Sequence, residues 1–565
     1  MFLVGNPASR KITTKPIERE AGSERACQKV FAWLNECLNG QIRGRRIHAS
    51  CPKPSHSYLP TRLIEISSYA DKYEMKVREM KGCATEPYVA LSYCWGGDQP
   101  MKSTKALLPK WMIGIPWDEL PQTLRDAVIV CQNMGIHYLW VDAFCIVQDD
   151  QDDKAVEIAQ MPNIYRNSTL TIAASRAGSV QEGFLADRSA TEFPNLVFEL
   201  PYQLRNPDSH GSVTLIMTRI KSEPLDTRGW TLQERLLSPR TLEFGTRQLR
   251  FLCQHNPRGL TDGWRLKPEA SNSRQDNLQD IVVLQENFDA LEDTQRQRDD
   301  TEYEKAMENW FRLVKVYTHR RLTLPSDKIL AISGIAERYG KVFGDQYCAG
   351  IWRSTFARAL YWKACGKRLH SRPQAWQGPS WSWTSINGAV EFPSLHTATL
   401  VEDEPRVVAI DIELANPDDP YGAILEGSGR LTLKVRMLPA ILSFEEGLFG
   451  STNAYAASLA ANSKPEVFRI GIEYNVLDAT REERDENNAV FLELSSKADD
   501  QTWSCRGLIA RGDAGDTFTR VGSFNYQTRE PASRRHNESL ESWQQRVNSE
   551  LNWFAHCPIE IVDII

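Results

Sequence analysis

The stretch LWVDAFCIVQDD, residues 139–150, places an acidic residue directly after a run of bulky apolar ones. Leu139, Trp140 and Val141 are typical of a buried strand, and Asp142 interrupts them. If the strand belongs to a parallel sheet, Asp142 lies at its carboxyl end, where such sheets bind ligands. A carboxylate there is suited to bind a hydroxyl group of a ligand. The alternative is that it accepts hydrogen bonds from backbone N–H groups of the next loop.

Four further acids, Asp149, Asp150, Asp152 and Asp153, follow within a short distance. Clustered carboxylates are suited to a hard cation such as Mg²⁺. These four match no calcium-loop spacing, and the glycine that such a loop needs is missing. Helix capping and solvation are therefore the favoured interpretation, with Asp152 or Asp153 as the cap of the following helix.

A second candidate group follows an earlier apolar run, in YVALSYCWGG. Ser92, Tyr93, Trp95 and Gly96 combine a glycine turn with aromatic side chains, which predicts a surface on which a ligand ring stacks. The competing interpretation is a packed aromatic corner. Cys94 is not favoured as a nucleophile, because no histidine follows it at a recognisable spacing.

The segment DTRGWTLQER supplies a third candidate group. Arg228 and Trp230 are predicted ligand-binding residues, because a guanidinium forms two parallel hydrogen bonds to a phosphate. Structural ion pairs, Arg228 with Asp226 or Glu234 with Arg235, are the favoured alternative.

Cys37, His48 and Cys51 follow the spacing C-x10-H-x2-C, and Cys27 or His56 would complete a set of four zinc ligands. The chain has no C-x-x-C pair, so the signal is weak. The sequence therefore commits to no metal site and leaves metal binding by these residues open.

The elements around these candidates alternate between strand and helix over about residues 86–175. Three short apolar strands, YVALSYC, HYLWV and STLTIAAS, are separated by LPQTLRDAVIVCQNMG and by a helix through Glu157 and Tyr165. Such alternation predicts an α/β fold with a parallel sheet and right-handed crossovers. Asp142 and the residues Tyr93, Cys94 and Trp95 are then predicted to lie at the carboxyl ends of two strands of that sheet.

Length and composition restrict the classes of protein to which the chain can belong. A chain of 565 residues with 41% hydrophobic residues is too long for one core, and its net charge of −6 gives no basic excess for nucleic acid. No apolar stretch is long enough to span a membrane, and the 12 scattered cysteines without a secretion signal predict reduced thiols in the cytoplasm. The predicted organisation is a lead-in over 1–75, an α/β domain over 76–255, a polar insertion or linker over 256–305 and a C-terminal α+β domain over 306–565.

Four successive segments resemble the motifs of the fungal heterokaryon incompatibility domain. They are YVALSYCWGG, LPQTLRDAVIVCQNMGIHYLWVDAFCIVQDD, EIAQMPNIYRNSTLTIAAS and DTRGWTLQERLLSPRTLEF. The resemblance implies a role in cell death when genetically different fungal cells fuse. The family is thought to be distantly similar to Toll/interleukin-1 receptor (TIR) domains, which implies a TIR-like or flavodoxin-like parallel sheet.

Some of those remote relatives cleave NAD at its nicotinamide–ribose bond with a glutamate. By that resemblance Glu157 is the candidate catalytic glutamate, with Asp142 binding a ribose hydroxyl or orienting Glu157. NAD is then a substrate and no cofactor is expected. Two alternatives stay open: a non-catalytic adaptor that recruits protein partners or assembles with itself, and an enzyme of fungal secondary metabolism.

Overall fold

The structure is a computed structural model, in which the chain divides into two compact units, Met1–Thr294 and Gln295–Ile565. The residues that the structure describes are 20–42, 44–53, 58–69, 72–84, 86–188, 197–203, 210–216, 222–256, 260–261, 300–365, 373, 375–392, 406–444, 455–459, 489–498, 503–512, 517–527, 539, 542–543, 554 and 557–565. Most of the predicted linker, 256–305, lies outside them. None of the helices within the described ranges is both long enough and apolar enough to cross a membrane.

The first unit contains both helices and strands. Its helices are α1 (Glu24–Asn39), α2 (Leu108–Ile113), α3 (Gln122–Asn133), α4 (Asp142–Cys145), α5 (Gln151–Asn167) and α6 (Trp230–Leu237). Its strands are β1 (Gln41–Ile42), β2 (Arg45–Arg46), β3 (Arg62–Tyr69), β4 (Lys72–Glu79), β5 (Tyr88–Ser92), β6 (Tyr138–Trp140), β7 (Leu170–Ala173), β8 (Val197–Gln203), β9 (His210–Ile216), β10 (Arg240–Phe244), β11 (Leu249–Cys253) and β12 (Leu260–Thr261).

Eight of these strands form one sheet in the order β12-β11-β10-β7-β5-β6-β3-β4. The four central strands, β10, β7, β5 and β6, are parallel, and the outer strands pair antiparallel. The α/β class and the parallel pairing of the three predicted strands are confirmed, but the complete sheet is mixed, because antiparallel strands flank the parallel ones. Antiparallel hairpins extend the sheet on both sides, and their sequences alternate apolar and polar residues as edge strands do.

The chain reverses its direction of travel across this sheet after β6. From β5 it moves to β6 on one side, and from β6 it passes back beyond β5 to β7. Since both crossovers are expected to be right-handed, α3 and α5 lie on opposite faces. In agreement, α3 packs with α1, whereas α5 packs with α6.

Residues predicted as a separate lead-in contribute to this same sheet. Ile64 of β3 pairs with Leu139 of β6, and helix α1 packs against α3 and β11. α1 begins at Glu24 because the Ser23 side chain accepts a hydrogen bond from the backbone N–H of Ala26.

The second unit combines helices with a β-barrel-like sheet. Its helices are α7 (Asp300–Thr318), α8 (Leu330–Phe343) and α9 (Phe356–Ala359). Its strands are β13 (Tyr347–Cys348), β14 (Ile351–Trp352), β15 (Lys363–Ala364), β16 (Val390–Glu391), β17 (Arg406–Asp411), β18 (Arg430–Phe444), β19 (Tyr455–Leu459), β20 (Ala489–Ala498), β21 (Trp503–Gly512), β22 (Thr517–Gln527) and β23 (Ile559–Ile564). Strands β18, β20, β21, β22 and β23 close on themselves, because β23 pairs with both β22 and β18.

Candidate active site

Asp142 lies two residues beyond the end of β6 and begins the short helix α4. Its Oδ2 accepts a hydrogen bond from Trp95 Nε1 at 2.9 Å, and its Oδ1 accepts one from the backbone N–H of Ala143 at 2.7 Å. Burial raises the pKa of Asp142, while the donors Trp95, Ala143 and Tyr93 and the charge of Arg228 oppose that rise. The carboxylate is therefore held in place by neighbours that favour its ionised form.

Tyr93 connects Asp142 to the interior of the unit. Its buried hydroxyl accepts a hydrogen bond from Gln99 Nε2 at 3.1 Å and is also hydrogen-bonded to Asp142. Because the amide of Gln99 is the donor, the phenol keeps its own proton for the carboxylate. Tyr93 thus serves as a buried donor, and a ring-stacking role would have required exposure that it lacks.

Glu234, on α6, is the functional candidate that sequence reasoning missed. Its side chain is buried, and burial raises its pKa to about 7. Hydrogen bonding from Ser92 lowers that pKa and the Asp142 carboxylate raises it. A carboxyl group that titrates near neutral pH beside a second carboxyl group is typical of acid–base sites.

The favoured ion pair between Glu234 and Arg235 is not formed. The Arg235 guanidinium instead contacts Glu243 at 3.0 Å and Asp226 at 3.4 Å. Consecutive residues on a helix point in different directions, so Arg235 faces the Glu243 side of α6 while Glu234 faces Ser92.

Tyr165, on α5, contacts the carboxyl group of Glu234. Its hydroxyl donates to the backbone carbonyl of Leu91 at 3.1 Å and also interacts with Glu234. The hydrogen bond with Tyr165 lowers the pKa of Glu234, as the one with Ser92 does. The net rise in that pKa therefore comes from burial and from the nearby Asp142 carboxylate.

Arg228 and Trp230 lie at the start of α6 and remain half-buried. The turn that carries Arg228 is fixed by Thr231, whose hydroxyl donates to the carbonyls of Leu225 at 2.8 Å and Arg228 at 2.9 Å. The positive charge of Arg228 lowers the pKa of both Asp142 and Glu234, so the guanidinium lies within electrostatic range of both.

Gly96 has a backbone role in the loop after β5. Its φ is +78°, and a Cβ atom there would lie 2.2 Å from the Cβ of Ser179. Only glycine combines this conformation with so close an approach. The loop is consequently held against residue 179 with Trp95 beside Asp142.

Glu157, the predicted catalytic glutamate, belongs to a different cluster. Burial raises its pKa, while a hydrogen bond from Thr61 and the charge of Arg62 lower it. Asp153 is the neighbouring acid there, and no hydrogen bond joins Glu157 to Asp142 within the described residues. The structure therefore brings Trp95 and Arg228 to Asp142 and Ser92 to Glu234, whereas Glu157 contacts Thr61 and Arg62.

Three of the four acids that follow Asp142 have separate partners. Asp150 is the N-cap of α5 and accepts from the backbone N–H groups of Asp152 and Asp153, so the prediction that one of those two residues caps the helix was wrong. Asp149 accepts from the backbone N–H of Lys105 at 2.8 Å, and Asp153 is ion-paired with Arg62. The Asp152 side chain is exposed to solvent.

Cys94 is a poor nucleophile in this environment. It is buried, and burial raises the pKa of its thiol to about 11. The thiolate that nucleophilic attack requires is scarce at neutral pH. Within the described ranges, side chains suited to holding a metal ion meet in another cluster, at Cys37, His48, Cys51 and Cys253.

The family model described as Heterokaryon incompatibility protein (HET) matches residues 88–234. The matched segment begins at β5 and ends at Glu234, so it includes every residue placed around Asp142 above. No curated protein and no solved structure matches the chain. Residues 88–234 are therefore a heterokaryon incompatibility domain.

Proposed function

We propose that this heterokaryon incompatibility domain cleaves NAD, or a related nucleotide, at the N-glycosidic bond, with Asp142 and Glu234 as its two working carboxyl groups. The proposal rests on the pair of carboxyl groups formed by Asp142 and Glu234. One carboxyl group is held by Trp95 and Ala143, and the other has a pKa of about 7. Cell death on fusion of unlike fungal cells would follow from loss of the nucleotide.

The chemistry needs charge stabilisation more than acid catalysis. When water replaces nicotinamide on NAD⁺, nicotinamide leaves as a neutral molecule, so no proton is needed by the leaving group. The products are nicotinamide, ADP-ribose and one proton. The ribose passes through an oxocarbenium-like cation, which a nearby carboxylate stabilises. Asp142 is suited to this role because its hydrogen-bond donors fix its position while its side chain stays partly accessible.

The attacking water must lose a proton, and Glu234 is suited to accept it. General bases work best with a pKa near the working pH, and burial gives Glu234 a pKa of about 7. Ser92 orients the group through a hydrogen bond.

Binding of the nucleotide is assigned to the half-buried side chains around the carboxyl pair. Arg228 supplies a guanidinium for the diphosphate, and the indoles of Trp95 and Trp230 supply flat surfaces for a ring. Trp95 is oriented by its bond to Asp142, so the ring position and the carboxylate position are coupled.

The fold supports a ligand at this position. Numbered along the chain, the four parallel strands lie in the order 2-1-3-4, and the direction of travel reverses between β5 and β7. In open α/β sheets ligands bind beyond the carboxyl ends of the strands at such a reversal, and the flavodoxin-like order follows the same rule. The expected likeness to TIR domains stays a prediction.

Incubation of the purified full chain with NAD⁺ and chromatography of released nicotinamide tests the proposal. Asp142→Asn and Glu234→Gln are expected to abolish release, and Glu119→Gln, which removes an exposed carboxylate elsewhere in the same domain, is expected to retain it. Glu157→Gln separates this site from the glutamate that the family resemblance implied. Release that survives in Glu234→Gln but is lost in Glu157→Gln would move the chemistry to the other cluster.

A non-catalytic adaptor is the second candidate, and one observation favours it. Asp142 and Glu157 face different arginines, Arg228 and Arg62, as structural carboxylates do. If the wild-type chain releases no nicotinamide at any protein concentration, whereas light scattering shows that it assembles, the adaptor function replaces the catalytic one.

A further inference from the structure

Four side chains with metal-binding atoms meet in the first unit, although they come from three separate segments. Cys37 is on α1, His48 and Cys51 are in the turn that follows β2, and Cys253 is the last residue of β11. All four are buried, and their ligand atoms lie within 4.8 Å of one another. So dense a set of thiols and imidazole differs from ordinary core packing.

We propose that Cys37, His48, Cys51 and Cys253 bind one structural zinc ion in tetrahedral geometry. Zinc–sulfur bonds of about 2.3 Å and zinc–nitrogen bonds of about 2.0–2.1 Å place neighbouring ligand atoms of a tetrahedron roughly 3.5–3.8 Å apart. His48 Nδ1 lies 3.3 Å from Cys253 Sγ and 3.8 Å from Cys51 Sγ. Three sulfur ligands and one imidazole favour zinc over Mg²⁺ or Ca²⁺, which prefer oxygen.

The groups around the ligands favour thiolates. Arg240 Nε donates to Cys37 Sγ at 3.2 Å, and the backbone N–H of His255 donates to Cys51 Sγ at 3.3 Å. Donors to the coordinating sulfur atoms are the usual outer shell of a zinc–cysteine site.

The charges at the proposed zinc site also balance. Three thiolates and Zn²⁺ leave one negative charge, and the buried guanidinium of Arg240 supplies the matching positive one. Arg240 is fixed by the backbone carbonyls of Thr169, at 3.3 Å, and Pro52. Without a cation among the thiolates the cluster would be three neutral thiols beside a buried, poorly compensated guanidinium.

A full set of four protein ligands indicates a structural rather than a catalytic ion, since catalytic zinc keeps a position for water. Such an ion would fasten α1 and the 44–53 segment to β11 at the end of the sheet opposite β4. Cys253, far away in sequence, is the fourth ligand. Cys27 instead accepts a hydrogen bond from Asn133, and His56 lies outside the described residues.

Zinc analysis of the reduced full chain, after dialysis against metal-free buffer, tests the proposal. One zinc per chain is expected, and X-ray absorption at the zinc edge should give three sulfur neighbours at about 2.3 Å and one nitrogen. These measurements use the unaltered protein, so they do not depend on the folding of a variant. Zinc well below one per chain, a shell of oxygen and nitrogen alone, or a disulfide among the three cysteines would overturn the proposal.

Substitution of single residues tests which side chains bind the zinc ion. Cys51→Ser and Cys253→Ser should lose the zinc, and Cys131→Ala, which alters a buried cysteine on α3, should keep it. His48→Cys should retain one zinc with four sulfur neighbours, whereas a site that does not use His48 would keep its original shell. Circular dichroism separates loss of zinc from loss of the fold.

Discussion

The indole N–H of Trp95 and the carboxylate of Asp142 are joined by a 2.9 Å hydrogen bond that links the loop after β5 to the first residue of α4, beyond β6. Strands β5 and β6 are parallel neighbours, so their ends meet at one edge of the sheet. Each segment also has a backbone hydrogen bond to another part of the chain, from the N–H of Val180 to the Trp95 carbonyl at 3.3 Å and from the N–H of Ser103 to the Ala143 carbonyl at 2.7 Å. The bond between Trp95 and Asp142 joins the two segments directly, so it contributes both to stability and to the position of the carboxylate.

Trp95→Phe tests that contribution. The variant keeps an aromatic ring but leaves the half-buried Asp142 carboxylate with one donor fewer, so the free energy of unfolding at pH 7 should fall by about 1–3 kcal/mol. Urea denaturation followed by circular dichroism measures it. In an Asp142→Asn background the same substitution should cost less, since the indole then loses a bond to a neutral acceptor. Equal losses in both backgrounds would show that the bond to the carboxylate adds nothing.

The raised pKa of Glu234 predicts a pH-dependent stability. Burial gives the folded state a pKa of about 7 against an ordinary value of 4.5, so the folded state binds more protons between those values. The contribution is fully present below pH 4.5 and is lost as the pH rises through 7, which corresponds to about 3 kcal/mol. Glu234→Gln stays uncharged, so it should gain stability relative to the wild type between pH 5 and pH 8.

The control for this experiment is Glu119→Gln, which removes a solvent-exposed carboxylate. The difference in stability between this variant and the wild type measures the general effect of one charge less. If Glu234→Gln and Glu119→Gln change stability in the same way over this pH range, the pKa of the Glu234 carboxyl group is not perturbed.

Sequence periodicity and strand order explain which parts of the candidate site could be predicted from the sequence. Asp142, Trp95 and Ser92 follow apolar strands, so their meeting at one edge required only that the strands be parallel. Glu234 was missed because its position depends on α6 packing over β5 and β7, a contact that no local pattern encodes. Cys253 was missed as a ligand for the same reason, since it reaches His48 only through the sheet order.

For Glu157, closeness in sequence to Asp142 did not predict which residues its side chain contacts. Motif position placed it close to Asp142 in sequence, but helix geometry decides where it points. Glu157, Met161 and Ile164 share one buried face of α5, and that face brings Glu157 to Thr61 and Arg62 at the start of β3. A residue on a helix after a strand need not face the end of that strand.

The contacts of the Arg62 guanidinium predict a large loss of stability even when lysine replaces this residue. Its Nη1 donates to the carbonyl of Cys145 at 2.6 Å and to Asp153 at 3.2 Å, and it is also ion-paired with Asp153 through Nη2. Lysine cannot reproduce this fork, so Arg62→Lys should lower the free energy of unfolding by about 2–4 kcal/mol. Arg78→Lys is the matched control: Arg78 makes an exposed pair with Glu65 at 2.8 Å, so little or no loss of stability is expected. Similar losses in both variants, measured by chemical denaturation, would contradict the role of the buried fork.

Gly96 and Gly82 form a matched pair for backbone strain. Their φ values are +78° and +77°, but a Cβ on Gly96 would meet Ser179 at 2.2 Å, whereas a Cβ on Gly82 meets nothing within 4 Å. Alanine at either position should therefore cost about 1 kcal/mol for its conformation, and Gly96→Ala should cost at least about 1 kcal/mol more for overpacking. Thermal unfolding compares the two. If the transition temperatures are equal, the loop after β5 moves away from residue 179 without cost.

Removal of zinc provides the last prediction, and it rests on the proposed site at Cys37, His48, Cys51 and Cys253. Because folding forms the site and the ion binds the folded chain, stripping the ion with a thiol-specific mercurial and a chelator, then restoring the thiols, should lower the thermal stability of the first unit. Returning zinc at about 1,000 times its dissociation constant should restore roughly 4 kcal/mol. Cys131→Ala should respond as the wild type does, whereas Cys253→Ser should already resemble the stripped protein and gain nothing from zinc. A wild-type chain whose unfolding temperature is the same before and after stripping would show that the four side chains need no metal to hold α1 against β11.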